Sequence, residues 1–211
     1  ACTDYRRIGR NRGGRMTPGG LIAPEDWHDE DIVLVDYRDT WPEEFESEAE
    51  RLQEAIGPYV TGGIHHVGST AIPGMTAKPI IDILVGVRDL DSSRGCRELL
   101  RPLDYWYAPY LPEVMHWFCK PSPASRTHHL HLIPTGSPRY LEEIAFVDYL
   151  HAHPETARDY AVLKRQLAQR FRTDREAYTD GKGEFVSEVT QRALAARADR
   201  LRSDRPGSPA G

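Results

Sequence analysis

The sequence predicts an α+β protein, in which a small mixed β-sheet is flanked by helices and followed by a helical C-terminal part. Residues 79–87 (PIIDILVGV) are apolar and β-branched on both faces, as in a central strand. Apolar residues recur at helical spacing over 41–56. Beyond Pro138 the strand-like runs stop and only helical patterns follow, which places the helical part at the C-terminal end.

Strands and helices alternate in the first part of the chain. IVLVDY (32–37) is a strand candidate, and the helix after it begins near Pro42, where the missing N–H of proline costs nothing. Pro58 ends that helix, and an Asp89 cap starts another over 89–100. The other predicted strands are 63–67, 79–87, 115–119 and 128–133, and the other predicted helices are 138–151, 154–171 and 174–201.

Composition divides the chain into one body and two tails. Residues 1–30 are rich in glycine, arginine, proline and acid, and predict a disordered or loosely packed tail. The arginines of this tail are either solvated or phosphate contacts. The body, predicted over 31–196, has the size of a single domain, and 197–211 predict a second tail.

Charge and cysteine content exclude several classes of protein. The formal net charge of -5 gives no bulk basic character, so neither nucleic acid nor an anionic membrane is an expected partner. No apolar run approaches the ~20 residues of a membrane-spanning helix. The three cysteines, Cys2, Cys96 and Cys119, are scattered and odd in number, which indicates free thiols and a cytoplasmic location.

A Gly68-Ser69 turn, followed by Thr70, precedes a strand that looks buried and yet carries one carboxylate. Such a turn exposes backbone N–H groups that can hold a phosphate, and glycine permits close approach. Strand alternation places Asp82 and Leu84 on the same face. A carboxylate in a central strand must be paired, hydrogen-bonded or bound to a cation, so the turn and the strand together predict a phosphate and cation site.

The order Gly-Ser, twelve residues, Asp is similar to the signature of the DNA polymerase β-like nucleotidyltransferase superfamily. That resemblance implies a nucleotidyltransferase-like sheet, in which Gly68 and Ser69 hold a triphosphate and a strand Asp-x-Asp/Glu pair holds Mg²⁺. Leu84 stands where the second acid is expected. The departure removes one magnesium ligand that the resemblance implies.

Further blocks, in the same order, resemble the GrpB family (UPF0157 type), a bacterial family also found fused to dephospho-CoA kinase. These blocks are GSTAIPGMTAKPIIDILV, RTHHLHLIPTGSP, AFVDYLHAHPETARDYAVLKRQLAQRF and DREAYTDGKGEFV. DYRDTWPEEF also resembles the entry into the family's first helix, with Asp39 and Thr40 in place of a proline-containing pair. The resemblance spans roughly residues 31–195 and implies the fold, whereas fold alone does not fix an activity.

The strand RTHHLHL places His129 and His131 on one face and His128 on the other. With Asp82, the first two form the predicted catalytic and metal-binding set. One carboxylate and two imidazoles suit a transition metal such as Zn²⁺ or Mn²⁺, and the superfamily resemblance implies Mg²⁺ or Mn²⁺. Alternatively, one histidine is a general base, or both are structural.

Cationic and aromatic side chains are the predicted nucleotide contacts. Arg126 is a strong candidate, because guanidinium binds phosphate through two hydrogen bonds. Tyrosine-lysine pairs four residues apart share a helix face, where they either contact base and phosphate or simply pack and extend into solvent. The complete predicted nucleotide- and phosphate-binding set is Gly68, Ser69, Thr70, Lys78, Lys120, Arg126, Tyr160, Lys164, Tyr178 and Lys182.

Two functions of different classes fit these residues. In the first, the protein is a metal-dependent enzyme that uses a nucleoside triphosphate, ATP by preference, and transfers a nucleotidyl or phosphoryl group to a small-molecule acceptor. Adenylation of a carboxylate and its capture by an amine is a variant of this chemistry. In the second, which Leu84 favours, a non-catalytic module binds a nucleotide or a CoA-like ligand. The apolar face of the C-terminal helices is expected either to form a homodimer interface or to cover the sheet.

Overall fold

One mixed sheet of five strands organises residues 31–203, the part of the chain that the computed structural model describes. The tail predicted over 1–30 lies outside the described residues. The strands are β1 (Val60–Val67), β2 (Ile81–Val87), β3 (Trp106–Ala108), β4 (His116–Pro121) and β5 (Arg126–Pro134). Their order across the sheet is β1-β2-β5-β4-β3.

Helices cover both faces of this sheet. The first face carries α1 (Trp41–Ile56) and the short α2 (Cys96–Leu99). The second face carries α3 (Pro138–Ala152), α4 (Pro154–Arg170) and α6 (Gly183–Ser203), and α5 (Arg175–Asp180) joins the last two. The predicted α+β class is confirmed.

The apolar core forms one layer on each face, because β2 is central and apolar on both sides. Ile83 and Val85 are fully buried and pack in the layer that contains Trp41 of α1. Leu84 is equally buried but points to the other side, in the layer that contains Val147 of α3. The apolar side chains of β2 are therefore committed to the core, whereas the side chain of Asp82 is 28% exposed.

Strand register brings the predicted site residues together. Strands β2 and β5 are parallel neighbours, with Asp82 opposite His129 and Leu84 opposite His131. Strand β4 pairs antiparallel with β5 and places Trp117 opposite His131. The face on which Asp82, His129 and His131 lie is the one covered by α3, α4 and α6.

Three of the predicted elements need correction, and one strand was not predicted. Residues 32–37 are not a strand, because Val35 has a single bridge partner, Ala77. Most of 89–100 is turns, in which Asp89 accepts from the Ser92 N–H and only α2 is helical. The strand β3 was not predicted. The helix predicted over 174–201 is two helices, because Gly181, a poor helix former, packs where a side chain would meet Leu167.

The C-terminal boundary also differs from the prediction. Helix α6 continues to Ser203, whereas the predicted body ends at residue 196. Among the described residues, no helix is both long and apolar enough to cross a membrane.

Candidate functional site

A cavity of about 300 Å³ opens on the sheet face that carries Asp82. Its floor is formed by β2, β4 and β5, and its walls come from α3, α4, α5, α6 and the turn after β1. Most of the predicted site residues line it, namely Gly68, Ser69, Lys78, Asp82, His129, His131, Tyr160, Lys164, Tyr178 and Lys182.

The Gly-Ser turn is close to the carboxylate in a way that only glycine allows. Gly68 has φ +72°, and a Cβ built on it would lie 2.3 Å from Oδ2 of Asp82. Ser69 begins a short 3₁₀ turn, and its Oγ accepts a hydrogen bond of 2.9 Å from Nζ of Lys164. The spacing of Gly-Ser and Asp along the chain therefore places the turn against the carboxylate, at the entrance of the cavity.

Asp82 and His129 form a hydrogen-bonded pair. Nδ1 of His129 lies 2.9 Å from Oδ1 of Asp82. Burial lowers the pKa of His129 to about 4, against the raising effect of the carboxylate, so its ring is neutral at pH 7. Burial works to raise the pKa of Asp82, but the bond from His129 keeps it below its ordinary value. Nδ1–H therefore donates to a carboxylate, and Nε2 is buried without a hydrogen-bond partner.

A second pair lies beside the first, and sequence reasoning missed its acid. Nδ1 of His131 lies 3.2 Å from Oε2 of Glu143 on α3. Nε of Arg139, one turn earlier on that helix, donates to Oε1 of Glu143 at 2.8 Å. Although burial raises the pKa of Glu143, the charges of His131 and Arg139 hold it below its ordinary value. The four-residue spacing of Arg139 and Glu143 predicts that the two side chains share a helix face. The sequence does not show that this face lies against β5.

Lysines and one further arginine give the cavity its positive charge. Lys164 is buried, with Nζ donating to Ser69 and to the carbonyl of Thr76, and burial lowers its pKa to about 7. Burial and the charges of Arg175 and Lys182 lower the pKa of Lys78 well below its usual range. Arg175, on α5, lines the cavity and was not predicted.

The two predicted tyrosines are walls of the site. Tyr160 stacks on Phe185 with ring centroids 5.1 Å apart, and Nζ of Lys164 lies 4.9 Å from the Tyr160 ring centroid. Tyr178 is buried, with Nζ of Lys182 lying 4.4 Å from its ring centroid and that of Lys78 at 5.6 Å. The rings therefore hold lysines beside the cavity.

Three predicted phosphate contacts do not line the cavity. The hydroxyl of Thr70 is buried and donates to the carbonyl of Ile80. The alternation of side chains along β4 places Lys120 on the opposite face of the sheet, where its Nζ lies 2.6 Å from the Glu48 carboxylate of α1. The Arg126 guanidinium lies 5.9 Å from the Trp117 ring centroid, with Nε bonded to the carbonyl of Pro123. Strand alternation decides the placement of Lys120, whereas Thr70 lies in the turn after β1, where its hydroxyl bonds to the backbone.

The three predicted metal ligands do not converge. His129 turns Nδ1 toward Asp82, and His131 turns Nδ1 toward Glu143. Within residues 31–203 no three His, Cys, Asp or Glu side chains are grouped as ligands of one ion. Leu84 is core and supplies no substitute. The arrangement fits Mg²⁺, which needs only one or two carboxylates when phosphate oxygens complete its shell, better than a three-ligand zinc site.

These features define a class of protein, an α+β domain with a cation-rich cavity on one face of a mixed sheet. Within that class, this chain belongs to the GrpB family, because the family model described as "GrpB protein" matches residues 31–192. A UPF0157 protein of Pseudomonas aeruginosa is 41% identical over 174 residues, which cover 80% of this chain and 70% of that protein.

Similarity extends to a solved structure and to longer proteins. The crystal structure of the conserved protein GrpB from Enterococcus faecalis aligns with a TM-score of 0.72 at 30% identity, covering 78% of this chain and 99% of that chain. The UPF0157 protein YqkA of Bacillus subtilis is 36% identical over 77% of this chain, but the match covers only 47% of YqkA. A dephospho-CoA kinase of Mycolicibacterium paratuberculosis is 29% identical over 77% of this chain and 46% of its own length.

Proposed function

We propose that this protein is a metal-dependent enzyme that binds a nucleoside triphosphate, with ATP as the expected nucleotide, and transfers a nucleotidyl or phosphoryl group to a small-molecule acceptor. The observation that carries the proposal is the convergence of Lys78, Lys164, Lys182 and Arg175 on one cavity. Burial depresses the pKa of two of these lysines. Keeping cations where the solvent does not stabilise them is expensive, and a polyphosphate would compensate them.

The turn after β1 and the lysine cluster provide the phosphate subsite. Ser69 and Lys164 are already hydrogen-bonded, so the turn is held in place before a ligand arrives. Such preorganisation reduces the ordering that binding must impose. Tyr160 and Tyr178 border the same region and offer ring faces for a nucleobase.

Asp82 is the residue that would hold a divalent cation, together with phosphate oxygens of the nucleotide. A bound Mg²⁺ or Mn²⁺ would neutralise charge that develops on the transferred group. The contribution of His129 is to orient the Asp82 carboxylate through Nδ1–H. Its buried, unpartnered Nε2 is an acceptor that a ligand hydroxyl or water would satisfy.

A binding module without catalysis is the second candidate, and Leu84 is the observation that favours it. Leu84 is fully buried in the apolar layer, so β2 offers one carboxylate where the resemblance implies two. Such a module would bind a nucleotide or a CoA-like ligand in the same cavity. It would have no requirement for a metal.

A thermal-shift panel distinguishes the two candidates. ATP, CoA and dephospho-CoA are each tested with Mg²⁺, Mn²⁺ or EDTA on the wild-type protein, on Asp82→Asn and on Arg158→Gln, an exposed control on α4. A ligand at 100 times its Kd adds about 2.7 kcal/mol of stability. The enzyme proposal expects stabilisation by ATP that needs metal and is lost in Asp82→Asn. Absence of any ATP effect, with stabilisation by a CoA compound in EDTA, would reject it in favour of the module.

A further inference from the structure

The cavity contains two histidine-carboxylate pairs, and the proposed function uses only the first. Asp82 and His129 lie opposite one another in one row across the sheet, and the next row on the same face contains Leu84, His131 and Trp117. In the second pair, His131 lies on β5 and Glu143 lies on α3.

The second pair is firmly held. The side chains of His131 and Glu143 are 14% and 12% exposed, so the pair is largely shielded from water and yet faces the cavity. Glu143 receives hydrogen bonds from His131 on one oxygen and from Arg139 on the other. Because Glu143 is ionised, Nδ1–H of His131 donates to it, and in the neutral form of the ring Nε2 has the free electron pair.

The surroundings of the two rows differ in chemistry. Lys78 and Arg175 influence the electrostatics of His129 in the first row. The cavity is also lined by the aromatic and aliphatic side chains of Trp117, Tyr110, Leu111 and Met115. Trp117 lies opposite His131 in the sheet, and its ring centroid is 5.0 Å from that of His129, so this apolar wall borders both histidines. The rings of Tyr110 and Trp117 meet edge-to-face with centroids 6.4 Å apart. One part of the cavity thus suits phosphates, and the adjoining part suits an apolar body.

We propose that His131, oriented by Glu143 and Arg139, binds and deprotonates the acceptor of the group transfer in a subsite walled by Trp117 and Tyr110, and that the acceptor is a small molecule with an apolar body and a hydroxyl or amino group. This inference rests on the proposed function.

The nucleoside triphosphate is the co-reactant that supplies the transferred group. The acceptor oxygen or nitrogen forms a bond to phosphorus, and the bond between that phosphorus and its bridging oxygen breaks. The leaving pyrophosphate or nucleoside diphosphate takes the electron pair. The acceptor proton passes to Nε2 of His131 and then to solvent, while Glu143 stabilises the imidazolium without taking the proton.

Nuclear magnetic resonance of the ¹⁵N-histidine-labelled protein tests this inference directly. Long-range ¹H–¹⁵N spectra distinguish the two imidazole tautomers, and His131→Gln assigns the signals. The wild-type protein is expected to show the Nδ1–H tautomer at His131. Glu143→Gln mixes the tautomers, because an amide can present either its oxygen or its NH₂ group. Glu142→Gln, which removes the same charge one residue earlier, leaves the tautomer unchanged. An Nε2–H tautomer in the wild-type protein would overturn the inference.

Binding of p-cresol, an apolar body with one hydroxyl, tests the subsite. p-Cresol is expected to shift the His131 signals with the ATP Kd changed less than twofold, and Trp117→Leu weakens p-cresol binding at least tenfold. Trp106→Leu, outside the cavity lining, does not. Competition between p-cresol and ATP, or unmoved His131 signals while ATP binds, overturns the acceptor subsite and leaves the proposed function standing. If p-cresol shifts His131 but ATP does not bind with any metal, the proposed function and the acceptor role fall together.

Discussion

Lys164→Met is expected to stabilise the folded protein at pH 6 and to abolish the stabilising effect of ATP. Burial lowers the pKa of Lys164 from 10.5 to about 7. At about 1.4 kcal/mol for each pH unit, that difference destabilises the fold by about 5 kcal/mol when the amine is protonated. Methionine fills a similar volume but loses the hydrogen bonds to Ser69 and Thr76, about 2 kcal/mol together. The net expected gain at pH 6 is about 3 kcal/mol.

The sign of the pH dependence follows from linkage. Between pH 7 and 10.5 the unfolded chain retains the proton of Lys164 and the folded chain has released it, so the stability of the wild-type protein rises with pH. The advantage of Lys164→Met therefore shrinks by about 1.4 kcal/mol for each pH unit above 7. The pKa of Lys78 is also lowered, but Lys78 is present in both proteins. The difference in unfolding free energy between wild type and Lys164→Met therefore reports on Lys164.

Urea denaturation of both proteins from pH 6 to 9.5, followed by circular dichroism, measures these differences. Arg158→Gln, on the exposed side of α4, is the matched control and should stay within about 0.5 kcal/mol of the wild type. A Lys164→Met protein that is less stable at pH 6, or whose difference from wild type does not vary with pH, would refute the reasoning. ATP with Mg²⁺ should raise the midpoint of the wild type and of the control only.

Three further predictions concern the frame around the site. Gly68→Ala should cost roughly 2 kcal/mol or more and displace the Asp82 carboxylate, because the new Cβ falls 2.3 Å from Oδ2; an unchanged urea midpoint would contradict this. Leu84→Glu should destabilise by about 3–5 kcal/mol in urea without adding a metal ligand, because position 84 lies in the core; tighter Mn²⁺ binding would show otherwise. Lys120→Ala should cost about 2–3 kcal/mol, since it removes the 2.6 Å ion pair of the buried Glu48 and leaves that carboxylate only Tyr105 and the partly exposed Arg51, while ATP affinity per folded molecule stays at the wild-type level in calorimetry.

Two lysines with lowered pKa values in one cavity are hard to explain by stability alone. Each is placed where its charged form is disfavoured, and neither has a salt bridge to a carboxylate among the described residues. Positions of this kind are typical of functional sites, where stability is sacrificed for binding. Lys120 differs from Lys78 and Lys164, because it forms an ion pair with Glu48 and that pair is a structural contact.

Local pattern was sufficient for the α+β class, for the central strand and for the shared face of His129 and His131. Alternation within β5 put His129 and His131 on one face, and the apolar run placed Asp82 in a central strand. Helix α1 followed from Pro42 and its apolar spacing, because these signals act within a few residues. The register that sets Asp82 opposite His129 needed the folded sheet.

Tertiary structure alone decided which charges meet. Glu143 reaches His131 only because α3 lies across β5, and no spacing along the chain encodes that crossing. Lys120 faces the opposite core because of its phase on β4, whereas Lys164 faces the cavity because α4 packs over the turn that carries Ser69. Residue types and their periodicity fix local conformation, whereas long-range packing fixes burial, and burial sets the pKa values and partners on which the site depends.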